Sequence, residues 1–275
     1  MSYNVLNGGR DGASDKRWQT AVEVIRAAGP DVLLVQEARG FDADGGRTLF
    51  AAEDDLGMRG LLALAPRTGQ HTAVFFRPGI RPLRFDPDSA HFHHALAQAT
   101  LAVPGFDRPV TVASIHLSPL SPALRAAEVG WLAALAAPGT YAVVAGDANS
   151  LAPGDPEPAD WAALPAHFRV RYLAPATGGQ EPVADRSALA FLHAAGFTDA
   201  AAAHGRAGTP TVPAAGFPEA EFVPFRSDHV LLSPALTPAL TGYRVLDDER
   251  TNAASDHLPV LIDTDPALFA PRAAA

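Results

Sequence analysis

Short apolar runs recur along this chain, and most of them end on an acid, an amide or a histidine. Ser2–Leu6 opens the series as a short strand carrying Asn4. Ser14 or Asp15 can cap a helix that runs to about Ala28, because Trp18, Val22 and Ile25 recur at helical spacing and Gly29-Pro30 stops it. Asp31–Gln36 is a continuous apolar run of the kind that forms a strand covered on both faces, and it ends on Glu37.

The middle of the chain predicts strands at Met58–Leu64, Thr72–Phe76, Ala95–Val103 and Val110–His116, separated by turn signals such as Pro66-Arg67-Thr68-Gly69. A second helix is expected from Ser121 or Pro122 to about Ala136, closed by Pro138-Gly139. Tyr141–Ala145 repeats the pattern of an apolar strand leading to an acid, here Asp147. Residues 151–186 are rich in Pro and Gly and read as a long loop with short helical pieces. A helix near Ser187–Ala195 precedes strands at Phe225–Leu232, Tyr243–Leu246 and Leu258–Ile262. Strands and helices mix without strict alternation, which favours two packed sheets flanked by helices. No internal repeat or long linker divides the chain, so one domain over 1–265 with a dispensable tail at 266–275 is expected.

Composition narrows the picture. The 275 residues are 48% hydrophobic with 19% charged, as in an ordinary globular protein with a full core. No apolar run is long enough to span a bilayer, and no signal peptide is visible, which makes a cytoplasmic location the expectation; a secreted domain with its signal removed would read the same. The absence of cysteine excludes disulfides, thiolate metal sites and thiol nucleophiles. Net charge is −9 and Lys16 is the one lysine, which argues against a broad basic footprint for polyanions.

The strand-end residues are Asn4, Glu37, His116, Asp147 with Asn149, Asp228, and Asp256 with His257. Each has a plain structural reading. Asn4 and the Gly146-Asp147-Ala148-Asn149 stretch suit turns, His116 can be a satisfied structural histidine, and Asp228 can form a surface ion pair with Arg226. Glu37 is harder to dismiss, because a carboxylate after a buried strand needs a partner or a metal. Together they form a set of oxygen donors on a rigid scaffold. Carboxylate and amide oxygens with few histidines suit Mg²⁺ or Mn²⁺ rather than zinc.

The set resembles the endonuclease/exonuclease/phosphatase superfamily, with its DNase I-like fold. The matching stretches are Ser2-Tyr3-Asn4-Val5, Leu34-Val35-Gln36-Glu37, Ser114-Ile115-His116-Leu117, Gly146-Asp147-Ala148-Asn149, Arg226-Ser227-Asp228-His229-Val230 and Ser255-Asp256-His257-Leu258-Pro259-Val260. Thr209-Pro210-Thr211 is similar to the segment that leads into the family's Arg-x-Asp strand. The resemblance implies a four-layer α/β sandwich of two mostly antiparallel, mixed sheets flanked by helices, with the site at one end. It implies a divalent-metal-dependent hydrolase of phosphate esters. Glu37 would be the principal metal ligand, with Asn4 and Asp256 holding the ion or its waters. Asp147 would orient or deprotonate the attacking water. Asn149 and His116 would donate to the phosphoryl oxygens. His257 would donate likewise or act as acid/base, held by Asp228 or by Asp256, an alternative the sequence leaves open.

The chain departs from the family pattern at Ala148, where a bulkier apolar residue is usual, and at His229, where an aromatic is common. Val5, Leu6 and Asn7 supply no extra acid, and His116 stands where the abasic-site branch has tyrosine. These features point toward the branch of sphingomyelinases, sugar-phosphate and lipid phosphatases, and some deadenylases and nucleases. Arg10, Arg39 and Arg226 are candidates for gripping substrate. His91, His93 and His94 form a cluster, but Phe92 breaks helical ligand spacing, so a strand edge or substrate-facing rim is favoured over a metal site. A small-molecule or lipid phosphoester is therefore the favoured substrate and nucleic acid the alternative. A non-catalytic binding module is disfavoured by the complete polar set. No Gly-x-Ser-x-Gly or Gly-x-Gly-x-x-Gly is present to support a serine hydrolase or a dinucleotide fold.

Overall fold

The computed structural model describes residues 1–158, 161, 164–174, 183–220 and 223–269. Among them twelve strands run in chain order: β1 (Ser2–Asn4), β2 (Val32–Gln36), β3 (Arg59–Ala63), β4 (Thr72–Phe76), β5 (Arg81–Asp88), β6 (Leu96–Ala102), β7 (Val110–His116), β8 (Tyr141–Asp147), β9 (Thr198–Asp199), β10 (Asp228–Leu232), β11 (Leu240–Val245) and β12 (Val260–Thr264). They form two six-stranded sheets, ordered β11-β12-β1-β2-β4-β3 and β5-β6-β7-β8-β10-β9. The β1/β2 and β7/β8 pairs are parallel and the remaining pairs antiparallel, so both sheets are mixed.

Alternation along the central strands builds the layers. Leu34, Val74, Phe76, Val112, Ala145 and Val230 fill the space between the sheets. Leu33, Val35 and Phe75 point the other way, onto Trp18, Val22 and Ile25 of the helix Lys16–Ala28. Ile115, Val144 and Leu231 face Leu132, Leu189 and Leu192 from the helical segments 130–136 and Ser187–Ala194. The order is helix, sheet, sheet, helix: an α/β sandwich.

One end of this sandwich collects the polar strand ends. The C-termini of β1, β2, β7 and β8 lie there with the N-terminus of β10, whose Asp228 pairs in register with Asp147. Gln36 bolts the two sheets together just beneath, its Nε2 donating to Ser114 Oγ at 2.9 Å while Ser114 Oγ donates to Val35 O at 3.0 Å. Gly146 is required at this point, because a Cβ there would sit 1.9 Å from the Ile115 carbonyl oxygen.

Several elements differ from the pattern-based expectation. The expected helix to Ala136 is α-helical only over Pro122–Val129 and tightens into a 3₁₀ segment at Gly130–Ala136. The edge strand β5 carries Pro82 and Pro87, which a pattern reading takes as evidence against a strand but which an unpaired edge tolerates. The helix at Ala43–Leu56 was hidden by Asp44-Gly45-Gly46, all with left-handed backbone in its first turn. Of the expected tail, Pro266–Phe269 forms a 3₁₀ turn whose Phe269 stacks 4.8 Å from Tyr141, and 270–275 lie outside the described residues. So do parts of the expected loop at 151–186, although the helix Ala166–Tyr172 is one of its anticipated helical pieces.

Candidate active site

Asp147 is the hub. Its Oδ1 accepts from Ser227 Oγ at 2.6 Å and from the Asn149 backbone N–H at 2.9 Å. Its Oδ2 accepts from Asn4 Nδ2 at 3.3 Å and lies 3.3 Å from His116 Nε2 and 3.6 Å from His257 Nε2. Asn4 reaches both carboxylates of the floor, since the same Nδ2 donates to Glu37 Oε1 at 3.2 Å. In this arrangement Asn4 faces the site with its amide nitrogen, and its Oδ1 accepts from Leu6 N–H. Glu37 Oε2 accepts from Asn7 N–H at 2.9 Å. Asn149 spans to the Leu117 carbonyl at 3.0 Å.

His257 is paired through Nδ1 with Asp228 Oδ2 at 2.8 Å. Asp228 is therefore the carboxylate that orients it, while Asp256 turns to its own neighbour, Ser255 Oγ, at 3.2 Å. Thr211 splices these pieces: its Oγ1 accepts from Ser227 and Asp228 N–H at 3.0 Å each, and its carbonyl accepts from Leu258 N–H. Ser255 Oγ donates to the Asn4 carbonyl at 2.7 Å, tying the last strand to the first.

The backbone here is unusually bent. Leu6, Asn7, Glu37 and Asn149 have φ of 47°, 53°, 55° and 49°, a left-handed region that side chains other than glycine's rarely adopt. Four such residues around one site mark a backbone shaped for geometry rather than comfort.

Electrostatics follow from burial and crowding. Burial alone would raise the Asp147 pKa, but the imidazoles of His257 and His116, with hydrogen bonds from Ser227 and Asn149, bring it below the ordinary carboxylate range. Burial would equally push His257 down, yet the charges of Asp228 and Asp147 carry it well above the ordinary histidine value. Asp256 goes the other way: burial, then the charge of Glu37, raise it. Glu37, Asp147 and Asp256 thus crowd negative charge into one corner.

That corner fits a hard divalent cation by the donor chemistry of its carboxylates. The expectation that Asn4 is a metal ligand is corrected, because its Nδ2 donates to Glu37 and Asp147 and its Oδ1 is taken by Leu6 N–H, which makes it a residue that orients those carboxylates. Among the described residues no three acidic or imidazole groups converge into a closed cage. An ion such as Mg²⁺ does not need one, because it keeps several waters and uses one or two carboxylates plus substrate phosphate.

The structure gathers Asn4, Glu37, His116, Asp147, Asn149, Asp228, Asp256 and His257 at one end. Arg10 and Arg39 stay exposed beside it, Arg39 Nη1 lying 3.5 Å from Asn7 Oδ1. Arg226 is a correction. It is not a substrate grip: it is 1% exposed and clamped by Asp155 and Asp199, with Nη2 contacts of 2.7 and 2.6 Å. Nor is Asp228 its surface partner, because that carboxylate is buried against His257. Sequence reasoning missed Ser227 as a partner of Asp147 and Asn7 as a partner of Glu37, and it placed His94 only in a rim cluster, whereas the ring is buried 4.1 Å from that of His116. His91 instead pairs with Asp88 and stacks on Trp131. Position beside a recognised motif could have pointed to Ser227, but no local pattern distinguishes His94 from its neighbours.

The sandwich carries an acid–histidine cluster at one end, an arrangement suited to chemistry on a phosphate ester. The model of the Endonuclease/Exonuclease/phosphatase family matches residues 1–257, and the chain belongs to that family. Among solved structures, it is similar to a 3′ phosphatase from Neisseria bound to a product DNA hairpin, at 21% identity and a TM-score of 0.68, covering 96% of this chain and 98% of that one. It is also similar to a mannosyl-6-phosphatase from Bacteroides thetaiotaomicron (15% identity, TM-score 0.64, 95% and 97% covered). A third is the human Nocturnin catalytic domain with bound sulfate (17% identity, TM-score 0.62, 96% and 92% covered). At these identities the likeness shows the fold. No curated protein matches the sequence.

Proposed function

We propose that this chain hydrolyses small-molecule or lipid phosphate esters, using a divalent cation, by in-line attack of water on phosphorus. The observation that carries the reading is the convergence of Asp147, His116 and the Asp228–His257 pair on one point beside Glu37. The ionised Asp147 orients the water and takes its proton as the P–O bond to the leaving oxygen breaks, and the leaving oxygen takes up a proton from solvent to depart as the alcohol. His257, protonated against Asp228, donates to a phosphoryl oxygen, and His116 and the second N–H of the Asn149 amide do the same as charge builds. Glu37 and Asp256 would hold Mg²⁺ or Mn²⁺, with Asn4 Nδ2 orienting Glu37, and the bound ion would supply polarisation of the phosphate and stabilisation of the leaving oxygen.

The preference for small substrates rests on a net charge of −9 with a single lysine. A nuclease is the second reading, favoured by the likeness to the Neisseria phosphatase bound to DNA. No helix of the described residues is long and apolar enough to cross a membrane. Mg²⁺-dependent cleavage of p-nitrophenyl phosphate, bis(p-nitrophenyl) phosphate and plasmid DNA, with EDTA and Asp147→Ala as controls, decides between them. Ester cleavage lost in both controls without DNA nicking supports the first reading. DNA nicking lost in both controls replaces it with the second, and activity that survives both sinks the assigned site.

A further inference from the structure

His94, in the turn before β6, has no part in the chemistry above, yet its ring lies 4.1 Å from that of His116 with 33° between the planes. Both rings are buried. Separate anchors fix the turn. Phe92 is sunk into the layer between the second sheet and its helices. His93 N–H donates to Glu128 Oε1 at 2.6 Å, and Glu128 Oε2 accepts from Ser118 N–H at 2.8 Å. Glu128 lies on the helix Pro122–Val129, so one buried carboxylate ties the turn bearing His94 to the segment leaving His116. Thr68 Oγ1 then closes on His94 Nδ1 at 2.9 Å.

Each ring has one polar contact: His116 Nε2 lies 3.3 Å from Asp147 Oδ2, and its Nδ1, like His94 Nε2, is buried without a hydrogen-bond partner among the described residues. The terminal torsion of a histidine is broad, so a ring with one polar anchor can tilt or exchange its nitrogens. A flat wall against its face removes that freedom. Thr68 Oγ1 already accepts from Gln70 N–H at 3.2 Å, which leaves its own proton for His94 Nδ1. Burial, followed by the nearby charges of His116 and His93, lowers the His94 pKa to about 2, so the wall is a neutral ring.

We propose that His94 is a positioning residue for His116: clamped by Thr68 and by the Glu128 tie, its ring holds the His116 imidazole with Nε2 toward Asp147 and the reacting phosphate. The effect on rate rests on the phosphoester-hydrolase reading; the effect on ring orientation does not.

The test compares the ¹⁵N-labelled full-length protein with His94→Phe and His94→Ala, using imidazole NMR of His116 and Mg²⁺-dependent hydrolysis of bis(p-nitrophenyl) phosphate. His94→Phe keeps a flat wall, so a single His116 tautomer and a kcat within about threefold of the parent are expected. His94→Ala removes it, so mixed His116 tautomers and a kcat lower by about tenfold at nearly unchanged KM are expected. Unchanged His116 signals and kcat in His94→Ala overturn the proposal. So does a His94→Phe variant that loses the single tautomer, a result that also decides the matter if His94→Ala fails to fold. Should the parent itself hydrolyse no phosphoester, the functional reading fails while the NMR comparison still judges the positioning role.

Discussion

Two clusters of buried charge sit on either side of Ser227, and they are built to opposite rules. On one side Arg226 is gripped by Asp155 through Nε and Nη2 and by Asp199 through Nη1 and Nη2, at 2.6 to 3.2 Å. Those carboxylates also accept backbone N–H groups from Ala152, Gly208 and Ala201. On the other side Asp228 serves His257, but the cluster opens outward through half-buried Glu37 and Asp256, and His116 keeps an unpartnered nitrogen. The closed cluster spends its hydrogen bonds on holding loops to the sheet. The open one holds its capacity in reserve for a ligand. Buried charge alone therefore does not mark a candidate active site.

Breaking the open side should cost rate. Under the proposed function, Asp147→Ala is expected to lower kcat on bis(p-nitrophenyl) phosphate by about 10³-fold, because the carboxylate that lies against both imidazoles and is proposed to orient the water is gone. Breaking the closed side should cost stability instead. Arg226→Met leaves Asp155 and Asp199 buried without their cation and is expected to destabilise by about 3–5 kcal/mol in urea unfolding. The sign of its pH dependence follows from Asp199. Burial would raise this acid, but Arg226 brings it below the ordinary range. The stabilisation it contributes is thus complete above the unfolded value of about 3.9 and drains away as pH falls below that toward the folded value. In Arg226→Met the buried Asp199 lacks its cation and takes up a proton on folding, so the gap between parent and variant should be widest at neutral pH, narrow as pH falls, and close further below about pH 4 as the parent loses its own contribution.

Asp228→Asn tests the boundary between the two. It keeps an acceptor for His257 but removes the charge, and kcat should fall by about 10²-fold, a smaller loss than at Asp147. The gentlest probe is the rim: Arg39→Ala should raise KM by a few-fold, roughly the value of one exposed charge contact, with kcat unchanged. A change in kcat there would place Arg39 within the reacting cluster rather than beside it.

Much of the open cluster was legible in the sequence because its members stand at strand ends within short motifs. Gln36-Glu37, Gly146-Asp147-Ala148-Asn149 and Ser255-Asp256-His257 announce themselves by an apolar run followed by polarity. The closed cluster was not legible. Asp155 lies in a Pro/Gly-rich stretch and Asp199 ends a two-residue strand, 71 and 27 positions from Arg226, so no local period links them. Arg226 consequently read as a substrate grip. The same distance in sequence hid the contact between His94 and His116. The sheets were readable where both faces are covered, at β2, β4 and β7, and unreadable at β5, where an edge accepts prolines that a central strand would not.

The left-handed conformation of Glu37 and its neighbours sets this enzyme against any screen for heat tolerance. Glu37→Gly would relax a backbone held at φ 55°, a relief on the order of 1 kcal/mol, while deleting the carboxylate proposed to hold the metal ion. Selection for survival at high temperature alone would therefore drift toward sturdy but inactive chains, and any heat-tolerant version that still turns over must find its improvements away from the rim where β1, β2 and β8 end.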